Sequence, residues 1–362
     1  MTLDEFFDHA PFSFSKAQKE RVLVAQLRAL TEHHALHCEP YKKMLNALGM
    51  QPSNIQSLED IPFLPTRMFK TKELRSVEMK DVVKTMTSSG TSGQAVSRIF
   101  LDRETSAQQT RILTRIVSDF VGKKRLPLLI LDTSEVVKNR LLFSARGAGI
   151  LGFSMFGSKK AYALDEHMEI DMPTLTAFLS EHADQPIMLF GFTFMVWLHF
   201  VKALERTDFR PDLSKAILIH GGGFKKLSDQ AVSRDEFKAR LNRVCGIAPE
   251  NVHDYYGMVE QTGSIYVECE QGHLHASNFS DVIVRRAEDF SVASFGEKGI
   301  VQVLSVLPRS YPGHSLLTED EGVCLGEDDC SCGRLGKYFK IEGRLLRAEI
   351  RGCSDTYASA IQ

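Results

Sequence analysis

Four short apolar segments in the middle of the chain constrain its fold most. They are residues 126–131, 187–190, 216–219 and 251–255, and segments with helical patterns lie between them. A strand that is buried on both faces of a parallel sheet has a nearly continuous apolar sequence. Strands that alternate with helices are typical of such a sheet. The sequence therefore predicts an α/β fold.

The segments on either side of this core have other patterns. Residues 15–48 and 102–119 have the apolar spacing of helices, and Asp102 or Thr105 is a suitable cap for the second of them. After about residue 265, strand-like segments such as 282–284 and 299–306 follow one another closely. Such spacing favours antiparallel pairing, so we expect a smaller β-rich subdomain after the α/β core.

Composition argues against several classes of protein. The formal net charge is −2 and no long basic run is present, so we expect no nucleic-acid partner. The longest apolar stretch, residues 187–201, is shorter than the roughly 20 residues of a membrane-spanning helix, so no membrane span is expected. Seven cysteines without an N-terminal export signal indicate reduced thiols and a cytoplasmic location.

A loop rich in glycine and hydroxyl groups follows a strand-like segment at residues 81–86. Glycines let the backbone approach a ligand, and backbone N–H groups with Ser and Thr hydroxyls can bind the oxygens of a polyphosphate. The same composition also suits an ordinary turn. The candidate phosphate-binding residues are Ser88, Ser89, Gly90, Thr91, Ser92 and Gly93.

Two motifs further along the chain favour the phosphate-binding interpretation. They are Tyr256-Gly257-Met258-Val259-Glu260 and Thr318-Glu319-Asp320. An acid such as Glu260 can hold the magnesium ion that offsets charge when a carboxylate attacks the α-phosphate of ATP. Taken alone, Glu260 also suits a solvated loop, and Asp320 suits a turn. The order of the three motifs indicates ATP-dependent activation of a carboxylate.

These motifs resemble those of the adenylate-forming ligases, the superfamily of the acyl-CoA ligases. The resemblance implies that the loop at 88–93 binds phosphates, that residues 256–260 contact AMP and magnesium, and that Asp320 binds the ribose. The Gly221-Gly222-Gly223 turn matches the segment that lies along the adenine. Gly343-Arg344 matches the pair at the usual hinge.

Within this superfamily the chain resembles the phenylacetate–CoA ligases and, more closely, the acyl-protein synthetases of bacterial luminescence, the LuxE type. This resemblance covers the whole chain. It implies a large adenylate-forming domain at 1–340, which includes the β-rich part, and a short C-terminal tail at 341–362. The ligases continue for roughly a hundred residues more, the size of a small domain, so the resemblance implies that the tail corresponds to a truncated form of that domain.

The chain departs from the ligase pattern at two further points. Val259 stands where the ligases usually carry Thr, and the lysine that normally follows the phosphate loop is absent. Arg98 or Arg103 is a candidate for the missing cation.

The tail contains one cysteine, Cys353, near Arg347 and Arg351. Neighbouring cations favour the thiolate, which is the reactive form of cysteine. The resemblance implies that an activated acyl group passes to a cysteine at this position and then to a reductase subunit similar to LuxC. We therefore expect Cys353 to attack the acyl adenylate and carry a thioester. The alternative is an inert cysteine in a frayed terminus.

Two groups of cysteine and histidine form a candidate zinc site. Three thiols and one imidazole suit a closed tetrahedral site, and His273 or Cys324 could replace one ligand. The spacing is not that of a standard zinc finger, so two unrelated groups of cysteines in a reduced protein remain an equal alternative. The candidate ligands are Cys269, His275, Cys330 and Cys332.

An aromatic segment at residues 190–200 is the candidate acyl pocket. Its position corresponds to residues that line the carboxylate pocket of the ligases, which implies that Phe192, Thr193 and Trp197 border an acyl tunnel. Each methylene of a fatty chain buried there would contribute about 0.8 kcal/mol. The alternative is a strand and helix that pack the protein core.

Taken together, the sequence predicts an ATP-dependent acyl-protein synthetase. It would form acyl-AMP from a long-chain fatty acid with ATP and Mg²⁺, load Cys353, and deliver the acyl group to an acyl reductase. A structural Zn²⁺ is a candidate for a further cofactor. Two alternatives remain: an acyl-CoA ligase with a shortened C-terminus, and a ligase-derived subunit without catalytic activity.

Overall fold

The computed structural model describes residues 3–88, 96–138, 145–224 and 230–345. The strands of this part of the chain are, in order, β1 (Leu64–Pro65), β2 (Val82–Thr87), β3 (Arg98–Asp102), β4 (Leu126–Thr133), β5 (Gly157–Leu164), β6 (Ile187–Phe192), β7 (Ala216–Gly221), β8 (Val252–Tyr256), β9 (Tyr266–Glu268), β10 (Leu274–His275), β11 (Ser280–Arg285), β12 (Lys298–Ser305), β13 (Ser315–Glu327) and β14 (Lys337–Arg344).

Helices lie mostly before and between the first eight strands. They are α1 (Leu3–Phe6), α2 (Lys16–His37), α3 (Glu39–Ala47), α4 (Met68–Thr71), α5 (Arg103–Val121), α6 (Glu135–Lys138), α7 (Ala145–Phe153), α8 (Met172–Glu181), α9 (Thr193–Met195), α10 (Lys202–Glu205) and α11 (Arg234–Cys245). A π-helical segment, Val196–Val201, joins α9 to α10.

One half of a large sheet is parallel, in the order β5, β4, β6, β7, β8. Four of these strands are the predicted apolar segments, so the predicted α/β core is confirmed. The sequence did not predict β5, because exposed Lys159 and Lys160 interrupt its apolar pattern. β5 lies at the edge of the described sheet, where an edge strand tolerates charge.

The other half of the sheet is antiparallel and begins where the sequence pattern changes. Strands β9, β10, β14, β13, β12 and β11 follow β8, each antiparallel to its neighbour. Strand β1 pairs with β13 in parallel. These strands continue the parallel half in one sheet, and the predicted start of the tail at residue 341 lies within β14.

Both faces of the parallel strands are buried, because their side chains point alternately to the two sides of the sheet and helices cover each side. Leu128 and Ile130 of β4 enter one hydrophobic cluster, with residues of α2, α5 and α7. Leu129 and Leu131 enter another, with residues of α8, α11 and the segment that joins α9 to α10. Successive side chains of a strand point to opposite faces, so an apolar run without a break gives a strand covered by helices on both sides.

The N-terminal helical region is divided at Cys38. The sequence predicted helix throughout 15–48, but Cys38 is extended and separates α2 from α3. Pro40 explains the division, because an uninterrupted helix would need the N–H that proline lacks, whereas the first turn of a new helix does not. The predicted cap of α5 is confirmed: Asp102 Oδ1 accepts a hydrogen bond from Thr105 N at 2.8 Å.

Across the described ranges, every helix is too short or too polar to cross a lipid bilayer.

Candidate active site and metal centre

The carboxyl ends of β6, β7 and β8 form one edge of the parallel half of the sheet, and α/β proteins bind ligands at such edges. The turn that leaves β7 requires glycine there, because φ is +87° at Gly222 and +59° at Gly223. A Cβ on Gly222 would lie 2.9 Å from Cδ1 of Phe192. The turn predicted to contact adenine is therefore a close-packed glycine turn at this edge.

Tyr256, Asp320 and Arg344 meet at the same edge from three strands. The Tyr256 hydroxyl donates to Asp320 Oδ2 at 2.7 Å, and Arg344 Nε lies 3.2 Å from Asp320 Oδ1. Arg344 also pairs with Glu319 at 3.3 Å. Burial, and then the charge of Asp320, raise the pKa of Tyr256 well above its ordinary value, so Tyr256 remains a donor. The fold thus brings together three residues predicted to bind nucleotide.

Glu260 lies in a tight turn just after Tyr256 and Gly257. Glu260 is only 8% exposed to solvent, and this burial raises the pKa of its carboxyl group. The Ser97 hydroxyl and the Lys70 ammonium group oppose that rise in pKa. The Tyr311 hydroxyl donates to the Glu260 backbone carbonyl at 2.9 Å. The turn is therefore held in place, and its carboxylate is buried near a cation.

The predicted phosphate loop is the connection of a hairpin formed by β2 and β3. At its base, Ser88 N donates to Ser97 O at 3.2 Å, and Ser97 N donates to Ser88 Oγ at 2.9 Å. The Ser97 side chain also interacts with the Glu260 carboxyl group and opposes the rise in its pKa. The base of the loop and Glu260 are therefore neighbours. The remaining predicted phosphate ligands lie outside the described residues: Ser89, Gly90, Thr91, Ser92 and Gly93.

The three predicted acyl-pocket residues lie on different sides of the sheet. Phe192 belongs to the cluster under α5 and α7, whereas Trp197 belongs to the cluster under α8 and α11. Thr193 lies at the edge between them, and its hydroxyl is 3.0 Å from His220 Nδ1 and 3.1 Å from Gly221 O. Phe192 and Thr193 adjoin the glycine turn, and Trp197 is 1% exposed.

Cys269, His275, Cys330 and Cys332 form a compact group, here called the thiol cluster. One potential ligand atom from each lies within 4.8 Å of the others. The Cys269 and Cys330 sulfur atoms are 4.0 Å apart, and Cys332 Sγ is 3.4 Å from His275 Nε2. The fold thus joins the two groups that the sequence left open as unrelated.

The surroundings of the thiol cluster suit a metal ion. Burial raises the pKa of Cys269 to about 12 and lowers that of His275 to about 3, so the metal-free groups are neutral. His275 Nδ1 is buried without a hydrogen-bond partner among the described atoms. Arg334 N donates to Cys332 Sγ at 3.5 Å. Three thiolates and one imidazole are the donor set of a closed tetrahedral zinc site.

Sequence reasoning did not identify Lys70, Ser97 or Tyr311 as part of the site. Lys70 lies among other polar residues after β1, and Ser97 follows the loop motif without belonging to it. Their positions depend on pairing between strands distant in sequence. Cys353, the predicted acyl acceptor, lies outside the described residues.

Comparisons with known proteins place the chain among ligases. The profile of the family described as acyl-protein synthetase, LuxE, matches residues 2–362. The long-chain-fatty-acid–luciferin-component ligase of Vibrio harveyi is 24% identical over 99% of this chain and 93% of its own. The ligase of the same name from Aliivibrio fischeri is 22% identical over 85% of this chain and 81% of its own.

A solved structure supports the fold. An open conformation of 2-hydroxyisobutyryl-CoA ligase, in complex with 2-HIB-AMP and CoA, superposes with a TM-score of 0.72 at 17% identity. The match covers 94% of this chain and 78% of that one. The predicted fold of an adenylate-forming ligase is confirmed.

Proposed function

The chain belongs to the LuxE family of acyl-protein synthetases, which are acid-activating ligases, and we propose that it loads a long-chain fatty acid onto its own Cys353. One observation carries the proposal: Tyr256, Asp320 and Arg344 converge beside the turn that holds Glu260. The resemblance to the ligases implies nucleotide binding by these residues, and their convergence supports one nucleotide site.

The nucleotide would lie along the carboxyl edge of the parallel strands. The backbone at Gly222 and Gly223 would border the adenine, and the loop at 88–93 would bind the phosphates. One oxygen of Asp320 accepts from Tyr256 and the other faces Arg344, so the orientation of the carboxylate is fixed. A fixed carboxylate is a suitable acceptor for the ribose hydroxyls.

Glu260 fits the role of magnesium ligand. A buried carboxylate is costly unless it is paired or coordinates a metal, and Glu260 is buried beside the base of the phosphate loop. Magnesium, when bound, supplies neutralisation of the phosphate charge. Glu260 would hold it with one carboxylate oxygen.

The proposed reaction has two covalent steps. In the first, a carboxylate oxygen of the fatty acid bonds to the α-phosphorus, and the bond from that phosphorus to the bridging oxygen breaks. Pyrophosphate leaves with the electron pair, and acyl-AMP remains. In the second, the Cys353 thiolate bonds to the acyl carbon, and AMP leaves with the electrons of the broken acyl–oxygen bond. An acyl reductase similar to LuxC would then receive the acyl group.

The tail can reach the nucleotide. Arg344 anchors it at Asp320, and Cys353 is nine residues further along the chain. An extended chain spans at most about 3.3–3.6 Å per residue, or ~30 Å for this segment. Because Asp320 is the proposed ribose ligand, a segment of this length would bring Cys353 within range of a bound nucleotide.

Three finer assignments complete the proposal. Phe192 and Thr193, which adjoin the glycine turn, would border the start of the acyl channel. Trp197 packs in the cluster on the other face of the sheet. Zinc at the thiol cluster would act as a structural ion, because all four ligands come from the protein. A cytoplasmic location would suit the reaction, because it supplies ATP and keeps the thiol of Cys353 free.

Intact-mass spectrometry after incubation with ATP, Mg²⁺ and a panel of fatty acids tests the proposal. We expect the wild-type protein, and a Cys245→Ser control that alters a buried thiol, to gain the mass of one acyl group. Cys353→Ser should release pyrophosphate but gain no acyl mass. Covalent loading of Cys353→Ser would refute the thioester, and loss of pyrophosphate release with every acid would favour the non-catalytic subunit.

The acyl-CoA ligase remains a second candidate, because the superposed structure is a CoA ligase. Addition of CoA alone decides between them. Soluble acyl-CoA formed at the rate of pyrophosphate release would favour the CoA ligase over the acyl-protein synthetase.

A further inference from the structure

The phosphate hairpin offers no buried cation among its described residues. The positive side chains of its two strands are Lys84 and Arg98, and both are exposed. Arg103, at the start of α5, is exposed as well. Charge that develops on a leaving pyrophosphate is stabilised best by groups already fixed in a water-poor site. A fixed cation near Glu260 would therefore come from a neighbouring element.

Lys70 lies on α4, which is tied to the strand that carries Asp320. Pro65 of β1 pairs with Leu317 of β13. Thr66 N then donates to Leu317 O at 3.1 Å. Leu317 precedes Asp320 by three residues in the same strand. This pairing fixes α4 beside the strand that carries Asp320. The edge of the sheet at which Tyr256, Asp320 and Arg344 meet, where the nucleotide is proposed to bind, is here called the nucleotide edge.

The residue before Lys70 is fixed against the Glu260 turn. Phe69 is fully buried, and its ring lies 6.1 Å from that of Tyr311 in an edge-on arrangement. Tyr311 in turn donates to the Glu260 carbonyl. Lys70 itself is half-buried, and the charge of its ammonium group opposes the rise in pKa that burial causes at the Glu260 carboxyl.

A third contact joins the chain after α4 to the phosphate hairpin. Ser76 N donates to Ser310 O at 2.7 Å. The Ser310 hydroxyl donates to Phe100 O, on β3, at 2.8 Å. Helix α4 also packs directly on β3. Helix α4, which carries Lys70, is therefore connected to the strand of Asp320, to the turn of Glu260 and to the phosphate hairpin.

From this placement we propose that Lys70 is a catalytic cation of the adenylation step. Its ammonium group contacts the phosphate oxygens of ATP and stabilises the negative charge that passes to pyrophosphate when the α-phosphorus–oxygen bond breaks. A lysine suits this role because its ammonium group is a compact charge that binds phosphate. Lys70 would replace the lysine that is absent after the loop. This inference rests on the proposed function.

ATP–pyrophosphate exchange with a fatty acid, in the full-length protein with Mg²⁺, tests the role. Lys70→Met keeps the length of the side chain and removes its charge, and we expect kcat for exchange to fall about 10²–10³-fold. Lys70→Arg should keep activity within about tenfold of the wild type, because it restores the positive charge. Lys72→Met is the matched control: Lys72 is exposed two residues further along, and its exchange rate should not change.

Nucleotide affinity separates this role from a structural one. Lys70→Met should weaken ATP binding more than AMP binding, because only ATP carries the phosphates that Lys70 contacts. Its thermal midpoint should stay close to that of the wild type. Equal losses for ATP and AMP, or wild-type exchange in Lys70→Met, would overturn the inference while leaving the proposed function intact. A wild-type protein without exchange for any acid would instead refute the proposed function, and with it the role of Lys70.

Discussion

The nucleotide edge and the thiol cluster collect residues in two different ways. At the nucleotide edge, Tyr256 and Arg344 end their strands and Asp320 lies within β13, and all three stay partly exposed. In the thiol cluster, Cys269, His275 and Cys330 are buried, and Cys332 is nearly so. An open arrangement admits substrates, whereas a closed set of four protein ligands is typical of structural metal sites. We therefore propose a catalytic role for the nucleotide edge and a structural role for the thiol cluster.

The two regions also differ in charge. The nucleotide edge has its charges in place, since Asp320 is paired with Arg344. The thiol cluster has no fixed charge at Cys269, Cys330 or His275 without metal, because burial opposes ionisation of these groups. It becomes charged only when a metal binds and displaces protons. On the proposed roles, the first region is preorganised for a ligand, and the second would depend on a bound ion.

The largest expected effect is on stability, from loss of the metal at the thiol cluster. Cys330→Ser, or removal of zinc by a chelator, should lower the free energy of unfolding by about 4 kcal/mol or more, because binding energy at a structural zinc site is folding energy. Urea denaturation with and without chelator measures the change, and mass spectrometry of the native protein reports its zinc content.

Cys245→Ser is the control for this stability change, since Cys245 is buried outside the cluster, where its thiol donates to Leu241 O. Its denaturation midpoint should not respond to the chelator. Zinc-free protein with a midpoint indifferent to chelator would contradict the structural role of the cluster.

Glu260→Gln should have the opposite profile, a large loss of activity with little change in stability. Removal of the carboxylate that holds magnesium should reduce ATP–pyrophosphate exchange about 10²–10³-fold, the cost of losing one fixed electrostatic contact to the transition state. Glu297→Gln is the control, because it alters an acid paired with Arg286 on a distant turn. A Glu260→Gln protein that unfolds more easily and keeps its activity would reverse the assignment of the two regions.

The sequence predicts a feature when its residues form a distinctive local pattern, and it fails when their place depends on pairing between distant strands. The thiol cluster was predicted as one of two alternatives, because cysteine and histidine are distinctive even when far apart. Strands β4, β6, β7 and β8 were predictable because burial on both faces leaves an apolar run. Lys70 was not, because an isolated lysine carries no pattern, and its place depends on the pairing of β1 with β13. Tyr311 was missed for the same reason.

A smaller effect is expected from Tyr256→Phe, which tests whether the nucleotide edge is preorganised. The variant loses the hydrogen bond to Asp320 and keeps the ring, so nucleotide affinity should fall about tenfold, in line with one hydrogen bond to a charged group. Tyr266→Phe is a matched control, since that buried hydroxyl donates to the Asp281 carbonyl at 3.0 Å. Equal losses of affinity in both variants would show that the hydroxyl of Tyr256 has no special role.

The smallest expected effect is a pH dependence of stability that originates at the nucleotide edge, at His220. Burial, followed by the charge of Lys238, lowers the pKa of His220 to about 3 in the folded protein, whereas the unfolded value is about 6.5. The unfolded chain therefore binds more protons below pH 6.5, so the stability that His220 contributes above that pH is lost as the pH falls. For one such histidine the loss of stability between pH 7 and pH 6 is about 0.7 kcal/mol.

Urea denaturation at the two pH values should show that the stability of His220→Gln is less sensitive to pH than that of the wild type by about this amount. His167→Gln, at an exposed position, should match the wild type. An equal pH response in all three proteins would mean that the buried imidazole at this edge is not held neutral.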